Sequence, residues 1–377
     1  MKIAQIKHNL TANPLMFFLI FIPFAIAGNV FNWNPGVVFA LSALSVIPLA
    51  GYIGAATEAL SYYSGPKIGG LLNATLGNAA ELIITLVAIR EGFLELVKAS
   101  ITGSVIGNLL LVMGFAMLTG GLKNGVQRFN RSHTGNHSML LVISIIALVI
   151  PSLFSSSIGS NGSPHVEALS LGVAGVMIII YILGLIYSLR ASSPVTFSLD
   201  EKQPSPAWSK ITAIVVLAAA TGGVVWISEI LVGTVDQVVS TLGFSEFFLG
   251  IILIPVVGNV AEHLVAVQVA LRNKMDLSVE IALSSSLQVA LFVAPLLVFI
   301  SLVIGNPLTL IFNVFELLAL GAAVMISALV SSDGEGAGLL GVYFILGIAF
   351  SISLMSRLCC GLKNYSVSGR SSFSLEH

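Results

Sequence analysis

Apolar residues run along this chain in long blocks, broken by short clusters of Gly, Pro, Asn, Ser and charged side chains. The blocks reach the roughly 20 residues that a helix needs to cross a hydrocarbon core. A membrane barrel would instead alternate apolar and polar positions in short strands. A window of spanning length predicts eleven helices, near 14–32, 36–64, 67–90, 96–120, 138–158, 166–189, 210–241, 246–271, 277–302, 307–330 and 338–361. The expected fold class is an all-α integral membrane protein. Trp33 and Trp208 fall at predicted helix ends, where amphipathic rings favour the membrane interface.

Composition agrees. The 377 residues are 56% hydrophobic and 9% charged, with mean hydropathy +1.01, whereas soluble domains carry about 25% charged residues. The partner this implies is a lipid bilayer. A net charge of −1 argues against nucleic acid, which calls for a basic face. The two cysteines, Cys359 and Cys360, are adjacent and lack metal-site spacing. No cleavable signal is expected: Leu15 to Ala27 ends without a small-residue cleavage site, and the terminal Leu-Glu-His reads as a vector-derived scar.

Lys and Arg orient the bundle. With a cytoplasmic amino terminus, the inner segments hold Lys2, Lys7, Lys67, Lys123, Arg128, Arg131, Arg190, Lys202, Lys210, Arg272 and Lys274, and the outer segments hold Arg90, Lys98, Arg357, Lys363 and Arg370. That excess is the one expected of cytoplasmic loops. The Ser- and Pro-rich stretch at 191–209 is too polar to span. It divides the chain into a tail and first helix (1–35), a first five-helix half (36–190), a cytoplasmic linker (191–209), a second half (210–362) and a tail (363–377).

The halves echo each other. "GNAAE" at 77–81 reappears as "GNVAEH" at 258–263, so Gly77, Asn78, Ala80 and Glu81 match Gly258, Asn259, Ala261 and Glu262. Allowing one inserted residue places "VAIR" on "VALR" and Ser104 on Ser286. "TEAL" at 57–60 echoes "SEIL" at 228–231. Five predicted spans separate Glu81 from Glu262, and an odd number reverses direction. The halves are therefore expected to be inverted repeats, a plan of secondary transporters with the substrate near mid-depth.

An ionisable side chain inside a bilayer costs at least about 2.5 kcal/mol on insertion scales and is read as functional by default. Glu58, Glu81, Glu229 and Glu262 qualify. Glu81 and Glu262 stand out, each behind a Gly-Asn pair in which Gly loosens the helix and Asn78 or Asn259 offers an amide oxygen. Ser104 and Asn108 share a helical face, and Ser284, Ser285 and Gln288 offer similar faces in the second half. Oxygen donors suit a hard cation such as Ca2+. Soft-metal ligands are missing, with His263 the lone histidine nearby, so Zn2+ and Cu+ are disfavoured. Removal from water favours the neutral carboxyl and an adjacent dication favours the carboxylate. One pair of acids would then serve two competing ligands, Ca2+ and H+.

These motifs, together with "RNKMDL" at 272–277, "SSSLQVALFVAP" at 284–295, "RFNRS" at 128–132 and "SDGE" at 332–335, resemble the Ca2+/H+ antiporter family of cation exchangers from about Thr57 to Gly347. The resemblance implies one helix plus two inverted five-helix halves that move Ca2+ against a proton gradient. It implies cation binding by Glu81 and Glu262 with Asn78 and Asn259, further ligands at Ser104, Asn108, Ser285 and Gln288, and vestibule acids at Glu58 and Glu229. The linker departs from the family by holding only Asp200 and Glu201, which puts regulation through it in doubt.

Other readings stay open. His263 is a packing residue or a proton relay; Gly103 and Gly107 form a G-x-x-x-G pair suited to close helix contact. Glu58 and Glu229 are vestibule acids or snorkel to an interface. "GEGAG" at 334–338 follows no strand and is not read as a nucleotide loop. No protease nucleophile or H-E-x-x-H motif is present, so no enzyme is expected, and no cofactor besides the transported Ca2+ and H+. A Na+/Ca2+ exchanger is the alternative, and a cation channel a more distant one. A prokaryotic inner membrane is expected ahead of a vacuolar one, and a homo-oligomer is compatible with the sequence.

Overall fold

A computed structural model describes residues 14–127, 129, 131–158, 163–190, 208–333, 339, 340 and 342–346. Those residues are helical or in short connections, with no strand among them. Seven helices are long and apolar enough to cross a membrane, and an eighth span is a bent pair. In chain order the helices are α1 (Met16–Val30), α2 (Pro35–Gly65), α3 (Ile68–Leu76 with Ala79–Arg90, bent by 41°), α4 (Leu94–Asn124), α5 (His137–Ser155), α6 (Pro164–Tyr187), α7 (Lys210–Leu242), α8 (Glu246–Leu271), α9 (Met275–Ile304) and α10 (Val314–Ser327). Helices thus occur at each of the first ten predicted positions, although α1 is shorter than a full span; the helix of α10 continues to Asp333. The eleventh, 338–361, lies mostly outside the described residues, as do "SDGE" and nearly all of the linker.

Local chemistry sets the helix ends. Asn34 accepts from the Gly36 amide ahead of Pro35, and Ser209 and Ser245 accept from the amides of Thr212 and Phe248, each satisfying a donor the helix leaves free. Asn313 and Glu316 cap α10 reciprocally, the Asn313 side chain accepting from the Glu316 amide and the Glu316 carboxylate from the Asn313 amide, as in a capping box. Trp208 stacks on Tyr52 with ring centroids 6.2 Å apart.

Helix α4 lies at the centre, with 83% of its spanning window buried, while α6 is peripheral at 17%. A Cβ on Gly103 would sit 2.1 Å from the Ile251 carbonyl oxygen, and one on Gly250 would sit 2.6 Å from that of Leu96. The α4 and α8 backbones therefore touch through glycine, as close packing in a bilayer favours. Of the G-x-x-x-G pair expected to make a close helix contact, Gly103 makes it, beside Gly250 of the facing helix, whereas Gly107 has nothing within 4 Å of its would-be Cβ.

These contacts also fix direction. Leu96 lies beside Gly250 near the start of α4 and α8, and Asn124 bonds Ala270 and Leu271 at their ends, so the two helices are parallel. The tight turn at 91–93 makes α3 antiparallel to α4, and hence α3 runs opposite to α8. Backbone regularity changes beside the glycines: residues Gly107–Val112, Leu249–Leu253 and Val289–Val293 are π-helical, a feature frequent at functional sites.

Candidate functional site

The α3 break falls at the first signature. Gly77 ends one helical piece and Asn78, at φ −98° and ψ 25°, starts the next, which places Glu81 in its first turn. In the second half Ile254–Leu271 is one continuous helix, with Gly258, Asn259, Glu262 and His263 inside it. Similar sequences therefore adopt different backbones.

Each acid meets a serine from the following helix. Ser104 donates to Glu81, and Ser285 donates to Glu262 at 2.8 Å; the separation is 23 residues in both pairs. This equal spacing corrects the register expected with one inserted residue, which put Ser104 on Ser286. Ser286 instead bonds the carbonyl of Ala282 in its own helix. The turns after the two acid helices agree with the corrected register: Phe93 N bonds Ala88 O at 2.9 Å as Lys274 N bonds Val269 O at 3.0 Å.

The asparagines cross between halves. Asn259 Nδ2 donates to Ser104 Oγ at 3.0 Å and lies 3.4 Å from Glu81 Oε2. Asn78 Nδ2 donates to Gln288 Oε1 at 2.9 Å, and its oxygen lies 3.4 Å from Ser285 Oγ. Asn108 Nδ2 donates to Ser285 Oγ at 3.0 Å, while its Oδ1 lies 3.2 Å from His263 Nε2. All eight side chains expected as cation ligands thus belong to a crossed network of two hydrogen-bonded clusters, Glu81–Ser104–Asn259 and Asn78–Gln288–Ser285–Glu262–Asn108, carried on α3, α4, α8 and α9, and His263 joins the second through Asn108. Ser284, another candidate, turns back to the Ile281 carbonyl.

The signature glycines have a steric reason. A Cβ on Gly77 would stand 2.8 Å from the Asn73 carbonyl oxygen, 3.2 Å from Glu262 Oε1 and 3.4 Å from Gln288 Oε1; one on Gly258 would meet Glu81 Cβ at 3.6 Å. Each glycine leaves room for the acid of the other half, and the loosening expected from sequence is found at Gly77, where α3 bends by 41°, but not at Gly258, which lies inside a continuous helix.

The two clusters differ in exposure. Glu81 is 0% exposed, and Ser104 and Asn259 are each 1% exposed; in the other cluster Asn78, Asn108 and Ser285 are buried, while Glu262, His263 and Gln288 are partly exposed. Asn259 Oδ1 is buried without a hydrogen-bond partner, on the same side chain whose Nδ2 meets Ser104 and Glu81. Ser100, one turn before Ser104 on the same helix, is fully buried, its hydroxyl without a hydrogen-bond partner.

The outlying acids stand apart from this network. Glu58 is exposed on α2. Glu229 lies 3.1 Å from Arg90 Nη1 at the end of α3. Among the described residues no three His, Cys, Asp or Glu side chains gather into a metal cluster, so the oxygen donors beyond the two acids are amides and hydroxyls.

A family model described as sodium/calcium exchanger protein matches residues 34–190 and 212–352. The chain belongs to this family. The exchanger is 43% identical over 350 residues to the Ca2+/H+ antiporter ChaA of Bacillus subtilis (strain 168), covering 90% of this chain and 99% of that protein. It is 40% identical over 367 residues to a Ca2+/H+ antiporter of Aphanothece halophytica, covering 90% and 97%. A crystal structure of the Ca2+/H+ antiporter protein YfkE matches with TM-score 0.78 and 41% identity, covering 90% of this exchanger and 99% of that chain. The resemblance noted in the signature motifs is borne out at the level of family, as is an all-helical, multi-pass membrane fold.

Proposed function

We propose that this exchanger moves Ca2+ against H+ by alternating access, with Glu81 and Glu262 near mid-depth binding either the cation or protons. The observation that carries the reading is the crossed network, in which Asn259 reaches the Glu81 cluster of the other half and keeps a buried oxygen without a donor. Two carboxylates with amide and hydroxyl oxygens form a hard donor set suited to Ca2+. The names of the relatives support the same exchange. Their organisms favour a prokaryotic plasma membrane.

Chemically, the residues divide the work. Ser104 and Ser285 hold the carboxylates in orientation by donating to them. Asn78 and Asn259 tie each cluster to the opposite half, so a cation drawn to one acid is felt by both halves. When Ca2+ leaves, protons taken up by the same carboxylate oxygens keep the empty site neutral. The cation and the protons thus cross on alternate strokes.

Flux in proteoliposomes tests this. Ca2+ uptake should follow an imposed pH gradient, persist when choline replaces Na+, and vanish in Glu81→Gln and in Glu262→Gln separately. Uptake that ignores the pH gradient, or that needs Na+, overturns the reading in favour of the Na+/Ca2+ alternative.

A further inference from the structure

The outermost contacts between halves do not involve the signature residues. Asn124 Nδ2, at the last residue of α4, donates to the carbonyls of Ala270 at 3.2 Å and Leu271 at 3.4 Å. Asn306 Nδ2, just past α9, donates to those of Ile89 at 2.8 Å and Arg90 at 3.3 Å. Ala270 and Leu271 end the helix of Glu262, and Ile89 and Arg90 end that of Glu81. Because α3 and α8 run in opposite directions, the two contacts lie at opposite ends of the bundle.

We infer that Asn124 and Asn306 are a matched pair of positioning residues, each fastening the acid-bearing helix of the other half and together setting which face the site opens to.

Three observations build this. Helix C-termini leave carbonyls without intrahelical donors, and the receiving ends here are equivalent. Gly92 and Asn273 take positive φ, 85° and 61°, and their amides bond Ile89 O and Ala270 O at 3.0 Å each. The asparagine therefore supplies a second donor to the same carbonyl on both sides. Next, the donors come from far along the chain, 146 and 147 residues away for Asn124 and 217 and 216 for Asn306, whereas a stopping signal alone needs only the local turn. Lastly, the donor helices carry the serines: α4 brings Ser104 to Glu81 while its end holds α8, and α9 brings Ser285 to Glu262 while its end holds α3. Each acid lies on the same rigid helix as the carbonyls that are held, roughly 13 Å away at 1.5 Å per residue. Moving either acid helix against its neighbour strains the fastening at one end of the bundle.

The ends are unequally reinforced. Gln127 Nε2 adds bonds to Ala270 O at 2.9 Å and Asn273 Oδ1 at 3.0 Å beside Asn124, while the other end has the exposed Arg90 to Glu229 pair. Each end is thus a separate adjustable contact.

The inference rests on the exchange reading, which wild-type flux along a pH gradient tests by itself. Asn124→Ala and Asn306→Ala are then compared in right-side-out and inside-out vesicles for the apparent KM of Ca2+ at each face. A bond worth about 1 kcal/mol corresponds to roughly a fivefold population shift. The ratio of the two KM values should move by roughly that factor in opposite directions in the two variants, return toward wild type in the double variant, and be rescued by Asn→Gln, which keeps the donor. A common shift in both variants, or a fall in thermal stability or maximal rate with an unchanged ratio, overturns the inference. Should an alanine variant fail to fold, Asn124→Gln and Asn306→Gln against Asn124→Asp and Asn306→Asp repeat the comparison with the donor kept or removed at similar size.

Discussion

Asn259 places its amide 3.4 Å from Glu81, an acid 178 residues away on an oppositely directed helix. Removing that side chain takes away a donor that holds the carboxylate and a buried oxygen that has no hydrogen-bond partner. Hydrogen bonds to charged groups contribute about 1.5–3 kcal/mol. Asn259→Ala should therefore weaken Ca2+ binding roughly 10- to 100-fold, read by calorimetry on detergent-solubilised protein. Unchanged affinity would exclude Asn259 as a ligand.

The signature glycines should respond unequally. A methyl group at Gly77 lands 2.8 Å from the Asn73 carbonyl oxygen and 3.2 Å from Glu262 Oε1, while one at Gly258 makes ordinary contact at 3.6 Å. Gly77→Ala is expected to impair Ca2+ flux several-fold, as overpacking costs about 1–3 kcal/mol, and Gly258→Ala to leave more of it. Equal losses would mean that the steric account is wrong.

Gly103 faces a harder limit, with the Ile251 carbonyl 2.1 Å from any added Cβ. Backbone cannot yield as a flexible side chain does. Gly103→Ala should lower the melting temperature in detergent by more than Gly107→Ala, whose position is open, and a thermal-shift assay ranks the two directly.

Competition for the same carboxylates has a definite sign. Cation binding needs deprotonated ligands, so acidifying the Ca2+-loading side should raise the KM for Ca2+, by roughly tenfold per pH unit for each proton displaced. A KM that is flat with pH, at saturating gradient, would remove shared binding from the mechanism.

Arg90 and Glu229 form a pair with side chains 52% and 43% exposed. Exposed pairs contribute about 0–1 kcal/mol. Arg90→Gln is accordingly expected to shift thermal stability little, and a large loss would point to a role for the pair beyond the surface.

The apolar blocks were legible because a bilayer demands length, and the doubled Gly-Asn-x-Ala-Glu signature stood out because charge inside such blocks is rare. What the sequence did not reveal is lateral arrangement. Lipid and neighbouring helices are equally apolar, so periodicity does not tell which face of α4 meets α8; the G-x-x-x-G motif signalled a close helix contact, but not that Gly103 alone makes it or that α8 is what it meets. Register failed for a related reason: "VAIR" and "VALR" invited an insertion, yet the turns at Gly92 and Asn273 have the same hydrogen bonds without one. Asn124 and Asn306 look like ordinary residues beside helix-ending glycines, and only tertiary contact reveals where their amides go.

The π-helical stretches carry a mechanical implication. Each stores one surplus residue per turn, and Asn108 lies within one while Gln288 immediately precedes another. Sliding such a surplus along the rod turns the residues it passes by roughly 100° and leaves the helix on either side in place. A polar group at that boundary can be swung toward or away from its neighbours like a key in a lock, by rotation alone, while the rod keeps its length and its place in the bilayer.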